Sequence, residues 1–138
     1  RMSNLPSAKH RQSIARSEAG FDIIDDTFNS NPEGARVALG KLQGLGQGRK
    51  VVVTPGMVEM GSMQDSENKT FARMAADVAD HLVIVGHTNR RALLEGSSNG
   101  SASVTVVDSR EDAVVWVRAN LGPGDAVLYE NDLPDHYP

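Results

Sequence analysis

The sequence predicts a three-layer α/β domain, in which a mostly parallel sheet of five to six strands carries helices on both faces. Short β-branched runs alternate with amphipathic stretches along the chain, and this order is typical of parallel strands joined by right-handed helical crossovers. The length of 138 residues fits one domain with a substantial core. The absence of cysteine means that this core forms without disulfides.

The predicted elements follow in a regular order. The strand candidates are Phe21 to Asp25, Lys50 to Thr54, His81 to Gly86, Ser103 to Val107 and Asp125 to Tyr129, and the helical stretches lie around 33–43, 65–79, 88–95 and 109–121. Apolar residues recur at helical spacing in two of these stretches, namely Thr70, Phe71, Met74, Ala75 and Val78, then Ala113, Val114, Trp116 and Val117. We expect both groups to cover the sheet.

The N-terminal part has a different composition from the rest. Residues 1–20 are polar apart from Ile14 and Ala15, and they are interpreted as a linker or an edge element, with the domain proper at residues 21–138. The Gly/Ser-rich stretch from Gly96 to Ser103 is predicted to be a surface loop.

Charge and composition exclude several classes of partner. The formal net charge is −4 and no basic stripe is present, which argues against nucleic-acid binding. No stretch approaches the roughly 18 apolar residues of a membrane span. The lack of cysteine also excludes thiolate metal sites and is compatible with a reducing compartment, so a cytoplasmic location is expected.

A polar loop follows the first predicted strand. The segment Asp25-Asp26-Thr27-Phe28-Asn29-Ser30-Asn31-Pro32 places two carboxylates at the strand's carboxyl end, and a helix begins near its proline. Open parallel sheets bind ligands at the carboxyl ends of their strands. This loop is therefore predicted to bind a ligand.

Two further segments lie at the same predicted edge. In Thr54 to Gly61, Pro55 and Gly56 would bring the backbone close to a ligand, and Glu59 would contact a cation or an amine. A tight turn with a solvated Glu59 is the alternative. The C-terminal stretch Glu130-Asn131-Asp132-Leu133-Pro134-Asp135-His136-Tyr137-Pro138 would bind a cationic group or a metal, or form a frayed acidic terminus.

Two other patterns carry less chemistry. The glycines at 44, 46 and 48 follow a helix and precede a strand, whereas a dinucleotide fingerprint follows a strand and opens a helix, so they indicate a turn. No pair of histidines has the spacing of a metal site on one helix face. His87 follows the third strand, where it would either contact substrate or cap the next helix.

From about residue 10 onwards, the chain resembles the C-terminal domain of Mur ligases and is most similar to the MurF type, which joins D-Ala-D-Ala to a UDP-MurNAc-tripeptide. Family members have an Arg fourteen residues before an Asp-Asp-x-Tyr-Asn-Ala-Asn-Pro motif, and Arg11 with the Asp25 to Pro32 segment reproduces both. The later family motif Gly-Asp-Met-x-Glu-Leu-Gly appears as Pro55 to Gly61, without its Asp.

The resemblance implies a Rossmann-like domain that closes over ATP and Mg²⁺. Both would be held mainly by a central ATPase domain of the same parent chain. The parent chain would also carry an N-terminal UDP-sugar domain. Arg11 would contact a phosphate or ribose, and Asp25 or Asp26 the ribose or a bound water. Asn29 and Asn31 would order the loop or approach the nucleotide.

The resemblance also implies a small-molecule amine substrate. The residues predicted to bind it are Met57, Glu59, His87, Glu130, Asn131 and Asp132. The MurF-type Lys-Gly-Ser-Arg segment is replaced by Glu130 to Leu133, and the family's histidine after the second motif by Asn68. An anionic segment repels a carboxylate and favours an ammonium, so a nucleophile other than D-Ala-D-Ala is expected.

Two functions fit these observations. One is the C-terminal domain of an ATP-dependent amide ligase, inactive as an isolated fragment, that forms a peptide bond through an acyl phosphate in peptidoglycan precursor synthesis. The other is a catalytically silent Mur-like module that binds a nucleotide sugar or a partner.

Overall fold

The computed structural model describes residues 13–16, 20–26, 32–45, 48–56, 61–87, 89–98, 100 and 102–130, with side chains described at all of these positions except 13–16, 26, 32 and 61. The strands are β1 (Ser13–Arg16), β2 (Asp22–Asp26), β3 (Lys50–Thr54), β4 (His81–Val85), β5 (Ser103–Val107) and β6 (Ala126–Glu130). The α-helices are α1 (Pro32–Gln43), α2 (Gln64–Val78), α3 (Arg90–Ser97) and α4 (Arg110–Asn120), and a 3₁₀ turn (Gly61–Met63) precedes α2.

The strands form one sheet in the order β1-β2-β6-β3-β4-β5. The five strands β2 to β6 are parallel to one another. The edge strand β1 pairs antiparallel with β2, and Ser13 lies opposite Asp25. Residues 13–16, which the sequence places in a linker or an edge element, thus extend the sheet by an edge strand. The predicted α/β class and its mostly parallel sheet are confirmed.

The connections explain the position of the helices. From β2 through β3 and β4 to β5 the chain moves in one direction across the sheet, and from β5 to β6 it returns to the gap between β2 and β3. Crossovers between parallel strands share one handedness. Those that move in one direction across the sheet therefore place their helices on one face, and those that move in the opposite direction place them on the other face. Accordingly, α1, α2 and α3 pack on one face and α4 packs on the other.

Two apolar clusters fill the spaces between these layers. Side chains alternate along each strand, so that in β3 Val52 faces α1 to α3, whereas Val51 and Val53 face α4. The first cluster includes the buried Phe71 of α2, and the second includes Val117 of α4. Because both faces are covered, the central strands are continuous apolar runs.

The buried stripe of α2 differs in part from the sequence prediction, although Met74 and Val78 pack against the core as predicted. In α2 the buried apolar residues are Phe71, Ala72, Ala75 and Ala76, whereas Thr70 is exposed and bonds back to the Ser66 carbonyl. The assignment of Thr70 to the sheet-covering stripe is therefore wrong, because at about 100° per residue it lies outside the arc that faces the sheet. Helix α4 begins where the Ser109 hydroxyl accepts a hydrogen bond from the Asp112 amide at 3.2 Å.

The carboxyl ends of β2, β6, β3, β4 and β5 lie side by side along one edge of the sheet, which we call the carboxyl rim. None of the described helices is both long enough and apolar enough to cross a membrane.

Candidate functional site

The carboxyl rim collects the polar residues that end or follow the parallel strands. In spatial order, the residues at or after its strand ends are Asp25 of β2, Glu130 of β6, Pro55-Gly56 after β3, His87 after β4 and Asp108 after β5. Residues far apart in sequence meet there because the return crossover inserts β6 between β2 and β3. This arrangement places the rim where open α/β sheets bind ligands.

Asp25 lies next to Tyr129 in the parallel register of β2 and β6. Burial raises the pKa of the Tyr129 phenol, the positive charges of Arg110 and Arg118 oppose this rise, and the Asp25 carboxylate adds to it. Asp25 is half-buried. The Asp25 carboxylate is therefore partly exposed at the rim, and its backbone belongs to β2.

Glu130 ends β6, directly opposite Asp26 in the register of the two strands. Alternation along β6 places it on the same side as the buried Leu128, towards α1. Its side chain is fully buried, with a relative exposure of 0%. The sequence predicts a substrate contact here, and the structure encloses this carboxylate beneath the rim rather than presenting it at the surface.

A largely buried polar cluster joins the end of β3 to the starts of α2 and α3, and no local sequence pattern indicates it. Its members are Thr54, Gly56, Gln64, Asn68 and Asn89. The Thr54 hydroxyl accepts from the Gly56 amide at 2.9 Å, and the Asn89 amide donates to the Pro55 carbonyl at 3.1 Å. Gln64 Nε2 donates to Asn89 Oδ1 at 2.8 Å, and Asn68 Nδ2 donates to the Gln64 carbonyl at 2.9 Å.

Asn68 takes a structural position in this cluster. Its side chain is fully buried in α2, and its Oδ1 lies 2.9 Å from the point that a Cβ at Gly56 would occupy. The residue that stands where the family has a histidine thus packs against the loop after β3. Asn68, Asn89 and Gly56 lie far apart in the sequence and meet only in the folded domain. No local sequence pattern therefore indicates that Asn68 is buried against this loop.

The His87 imidazole contacts a carboxylate at the rim. Its Nε2 lies 3.1 Å from Asp108 Oδ1, and both side chains are largely exposed. Helix α3 begins at Arg90 behind Asn89 at the N-cap position, while the imidazole points to Asp108 after the neighbouring strand. The His87 backbone carbonyl also accepts from the Arg90 amide at 3.3 Å, at the start of α3. Both predicted roles of His87, substrate contact and helix capping, therefore stay predictions.

Arg90 joins the ends of β4 and β5. Its Nε donates to the Gly86 carbonyl at 3.1 Å, and its guanidinium lies 3.5 Å from both the Val107 carbonyl and Asp108. The side chain is mostly buried against these groups. Arg90 therefore connects the segment after β4 with the segment after β5. The second segment contains Asp108, which contacts His87.

The remaining predicted site residues lie outside the described part of the chain. They are Arg11, Asn29, Asn31, Met57, Glu59, Asn131 and Asp132. The backbone of Asp26 is described, but its side chain is not. Of the predicted residues that are described, Asp25 and Glu130 lie at the ends of adjacent strands, but their side chains point to opposite faces of the sheet. His87 lies two strands beyond β6 on the same rim. Among the described residues, no group of three His, Asp or Glu side chains could hold a metal ion.

Chemically, the rim offers a partly exposed carboxylate at one end and an exposed imidazole and carboxylate at the other, with the mostly buried Arg90 guanidinium beside them. Such groups bind hydroxyl, ammonium and carboxylate functions by charge-assisted hydrogen bonds. The arrangement suits a polar, charged small molecule.

Comparison with known proteins identifies the family. Residues 10–129 match the family described as "Mur ligase, glutamate ligase domain". The chain is 31% identical over 143 aligned positions to the UDP-N-acetylmuramoyl-tripeptide--D-alanyl-D-alanine ligase of Mycobacterium leprae, covering 89% of this chain and 27% of the relative. It is 24% identical to the ligase of the same name from Bacillus subtilis, covering 94% of this chain and 29% of the relative.

Solved structures agree in fold. MurF from Acinetobacter baumannii superimposes with a TM-score of 0.72 at 25% identity, covering 91% of this chain and 27% of that one. MurF from Thermotoga maritima, solved in complex with ADP, superimposes with a TM-score of 0.75 at 19% identity, covering 95% of this chain and 28% of that one. The chain spans less than a third of the length of the curated relatives described above. By its sequence match and its fold, this chain belongs to the Mur ligase family, as a glutamate ligase domain, the C-terminal domain of these enzymes.

Proposed function

We propose that this chain is the domain that closes the cleft and binds the amine substrate in an ATP-dependent amide ligase of peptidoglycan precursor synthesis. The observation that carries the proposal is the family match over residues 10–129, together with 31% identity to a named ligase. The parent chain would contain a central ATPase domain and an N-terminal UDP-sugar domain, and it would work in the cytoplasm.

The reaction that this role serves has two steps. A carboxylate oxygen of the acceptor attacks the γ-phosphorus of ATP, and the bond from that phosphorus to the ADP oxygen breaks. The amine nitrogen then attacks the acyl carbon of the resulting acyl phosphate, the carbon–oxygen bond to phosphate breaks, and the nitrogen loses a proton to solvent. Domain closure would align these groups and exclude water, which competes with the amine.

The nucleotide side of the cleft is proposed to lie at the end of β2. Asp25 or Asp26 would accept hydrogen bonds from the ribose or from a bound water, Arg11 would contact a phosphate or the ribose, and Asn29 and Asn31 would order the loop or approach the nucleotide. The half-buried position of Asp25 at the rim supports this role. ATP and Mg²⁺ would be held mainly by the central domain, and we assign no magnesium ligand to the described residues.

The amine side is proposed to include Met57, Glu59, His87, Asn131 and Asp132, with Glu130 beneath them. The basic segment of MurF-type ligases is replaced here by Glu130 to Leu133, so the carboxylate of Asp132 would give this side of the cleft a negative potential. This potential favours an ammonium group over a carboxylate. We therefore propose a nucleophile other than D-Ala-D-Ala, with an exposed amine or without a free carboxylate.

Titration calorimetry tests the nucleophile. The full-length parent protein, saturated with ATP, is expected to show no heat of binding with D-Ala-D-Ala. Clear binding would overturn the substrate proposal and leave the ligase proposal intact.

Phosphate release tests the ligase itself. The full-length parent protein is mixed with ATP, Mg²⁺, a UDP-N-acetylmuramoyl-tripeptide and, in turn, each of a panel of amino acids, dipeptides and simple amines. We expect phosphate release that depends on one of these amines, and none from the 138-residue chain alone. A parent protein that binds a nucleotide sugar but releases no phosphate with any amine would favour the silent module instead.

A further inference from the structure

His87, Asp108 and Arg90 form a chain of contacts at the β5 end of the carboxyl rim. His87 Nε2 lies 3.1 Å from Asp108 Oδ1, which is within hydrogen-bond distance. The same Asp108 oxygen lies 3.5 Å from Arg90 Nη2. Arg90 is itself fixed, because its Nε donates to the Gly86 carbonyl at 3.1 Å and most of its side chain is buried. The exposed imidazole and carboxylate thus lie against a mostly buried cation.

The Asp108 carboxylate determines which ring nitrogen of His87 carries the proton. An ionised carboxylate only accepts hydrogen bonds, so we assign the proton of the neutral imidazole to Nε2. Nδ1 is then an acceptor with a lone pair. Among the described residues, none hydrogen-bonds to Nδ1, and the His87 side chain is 70% exposed. The ring therefore offers a proton acceptor at the rim.

Amide formation needs such an acceptor. An alkyl ammonium group such as that of lysine has a pKa of about 10, so it is protonated at neutral pH and its nitrogen has no lone pair for attack on a carbonyl carbon. A histidine oriented by a carboxylate takes up a proton readily, and the carboxylate stabilises the imidazolium that forms. Because His87 is exposed, it can return this proton to solvent.

We propose that His87 accepts a proton from the ammonium group of the amine substrate, and that Asp108 is the positioning residue that orients its ring. Nδ1 takes one proton, the freed amine nitrogen attacks the acyl carbon of the acyl phosphate, and the carbon–oxygen bond to phosphate breaks. The nitrogen then loses a second proton to solvent, and the imidazolium releases the first one there. This inference rests on the proposed ligase function and names the proton acceptor of its second step.

The ring orientation is tested on this chain without any substrate, by the ¹⁵N chemical shifts of the neutral His87 imidazole. We expect the shift of a protonated nitrogen at Nε2 and of an unprotonated one at Nδ1. In Asp108→Asn the amide can donate to Nε2, so the tautomer protonated at Nδ1 gains population and the two shifts move towards each other. Asp112→Asn is the matched control, because Asp112 is an exposed carboxylate in the first turn of α4. Shifts that Asp108→Asn leaves unchanged, or that the control changes equally, would overturn the role of Asp108.

The proton transfer is tested in the full-length parent protein by separating the two chemical steps. A single turnover with ATP, Mg²⁺ and a UDP-N-acetylmuramoyl-tripeptide, but no amine, measures the formation of ADP with the acyl phosphate. His87→Gln should leave this step unchanged. With the amine that stimulates phosphate release at saturation, the same variant should form amide about 100-fold more slowly, the usual loss for a general base. Asp108→Asn should slow the same step by a smaller factor, and Asp112→Asn should not slow it.

Each outcome has a distinct meaning. Unchanged amide formation in His87→Gln, or only a higher KM for the amine, would overturn the proposal, since a binding contact alone gives the second result. Slower formation of ADP before the amine is added would also contradict it, because His87 acts in the second step. If the unaltered parent protein forms no ADP, the ligase proposal fails instead, and the ¹⁵N shifts still decide whether Asp108 orients His87.

Discussion

The rings of His81 and Trp116 stack with their centroids 4.3 Å apart and an angle of 29° between their planes. His81 Nε2 also lies 2.7 Å from the Thr105 hydroxyl. Burial lowers the pKa of His81, and the positive charge of Arg49 lowers it further. The stack lies at the amino end of β4, opposite the carboxyl rim, and its consequences concern stability rather than ligand binding.

Stability is therefore predicted to fall as the pH is lowered from 7.5 to 5.5. Because the folded-state pKa of His81 is depressed, the unfolded chain binds more protons once the pH falls below its ordinary pKa of about 6.5. The contribution of His81 to the free energy of unfolding is fully present above its ordinary pKa. It is lost as the pH falls towards the pKa of His81 in the folded protein. The slope should be a fraction of the ~1.4 kcal/mol per pH unit that one proton allows, since His81 is partly solvated.

Urea unfolding at several pH values checks this prediction. His81→Phe keeps an aromatic ring against Trp116 and should flatten the dependence in this range. Thr105→Val keeps the imidazole and should retain the dependence. An unchanged slope in His81→Phe would show that another group causes it.

Gly96→Ala is predicted to destabilise the domain by about 1–3 kcal/mol, because overpacking a tight contact forces the backbone apart. A Cβ at Gly96 in α3 would collide with the carbonyl oxygen of Lys69 in α2 and would lie 2.7 Å from Lys69 Cα. The backbone cannot yield as a flexible side chain would. Chemical denaturation of the variant measures the loss.

Gly40→Ala is the matched control in α1, where a Cβ meets nothing within 4 Å. Alanine should stabilise this exposed helical position by roughly 0.5–1 kcal/mol, since glycine loses more backbone entropy on folding. If both variants change the free energy of unfolding by the same amount, the close contact between α2 and α3 is not what requires glycine at position 96.

Arg90→Met is predicted to lower the free energy of unfolding by about 1–2 kcal/mol, because carbonyl groups at the ends of β4 and β5 lose a charged donor. Arg90→Lys should recover little of this, since one ammonium group cannot reproduce the fork of the guanidinium. Arg91→Met provides the control, because the neighbouring Arg91 side chain is 91% exposed. Equal losses at 90 and 91 would contradict the bridging role of Arg90.

The parts of the fold that were predictable are those with strong local signals. The apolar runs at Lys50–Thr54 and Ser103–Val107 are strands with the predicted bounds, and the other three parallel strands shift by one residue at one or both ends. β-branched residues bounded by turn-forming residues favour a strand at these positions. The edge strand Ser13–Arg16 has only four residues. Its polar and apolar residues are too few to form a hydrophobic pattern that distinguishes a strand from a linker.

The less predictable features depend on contacts between distant elements. The position of β6 between β2 and β3 follows from the direction of the crossovers, which no local pattern encodes. Glu130, Asn68 and Asn89 have residue types that usually lie at the surface, yet all three are buried. Their burial depends on neighbours brought by the sheet, so a single sequence suggests solvated positions for them.

Asp25→Asn is predicted to weaken ATP binding by the full-length parent protein about tenfold, the usual loss for a charged hydrogen-bond acceptor. Asp22→Asn is the control at the other end of the same strand, away from the carboxyl rim. It should leave the dissociation constant unchanged. Calorimetry that finds equal affinities for the two variants would remove Asp25 from the nucleotide site.

Oxygen transfer tests the central claim most directly. The full-length parent protein is supplied with ATP, Mg²⁺, the amine that stimulates phosphate release, and a UDP-N-acetylmuramoyl-tripeptide whose terminal carboxylate carries ¹⁸O. If the amide forms through an acyl phosphate, mass spectrometry will find one ¹⁸O atom from that carboxylate in the phosphate released with each amide. Amide formation with unlabelled phosphate, or phosphate release without an amide, would contradict the account.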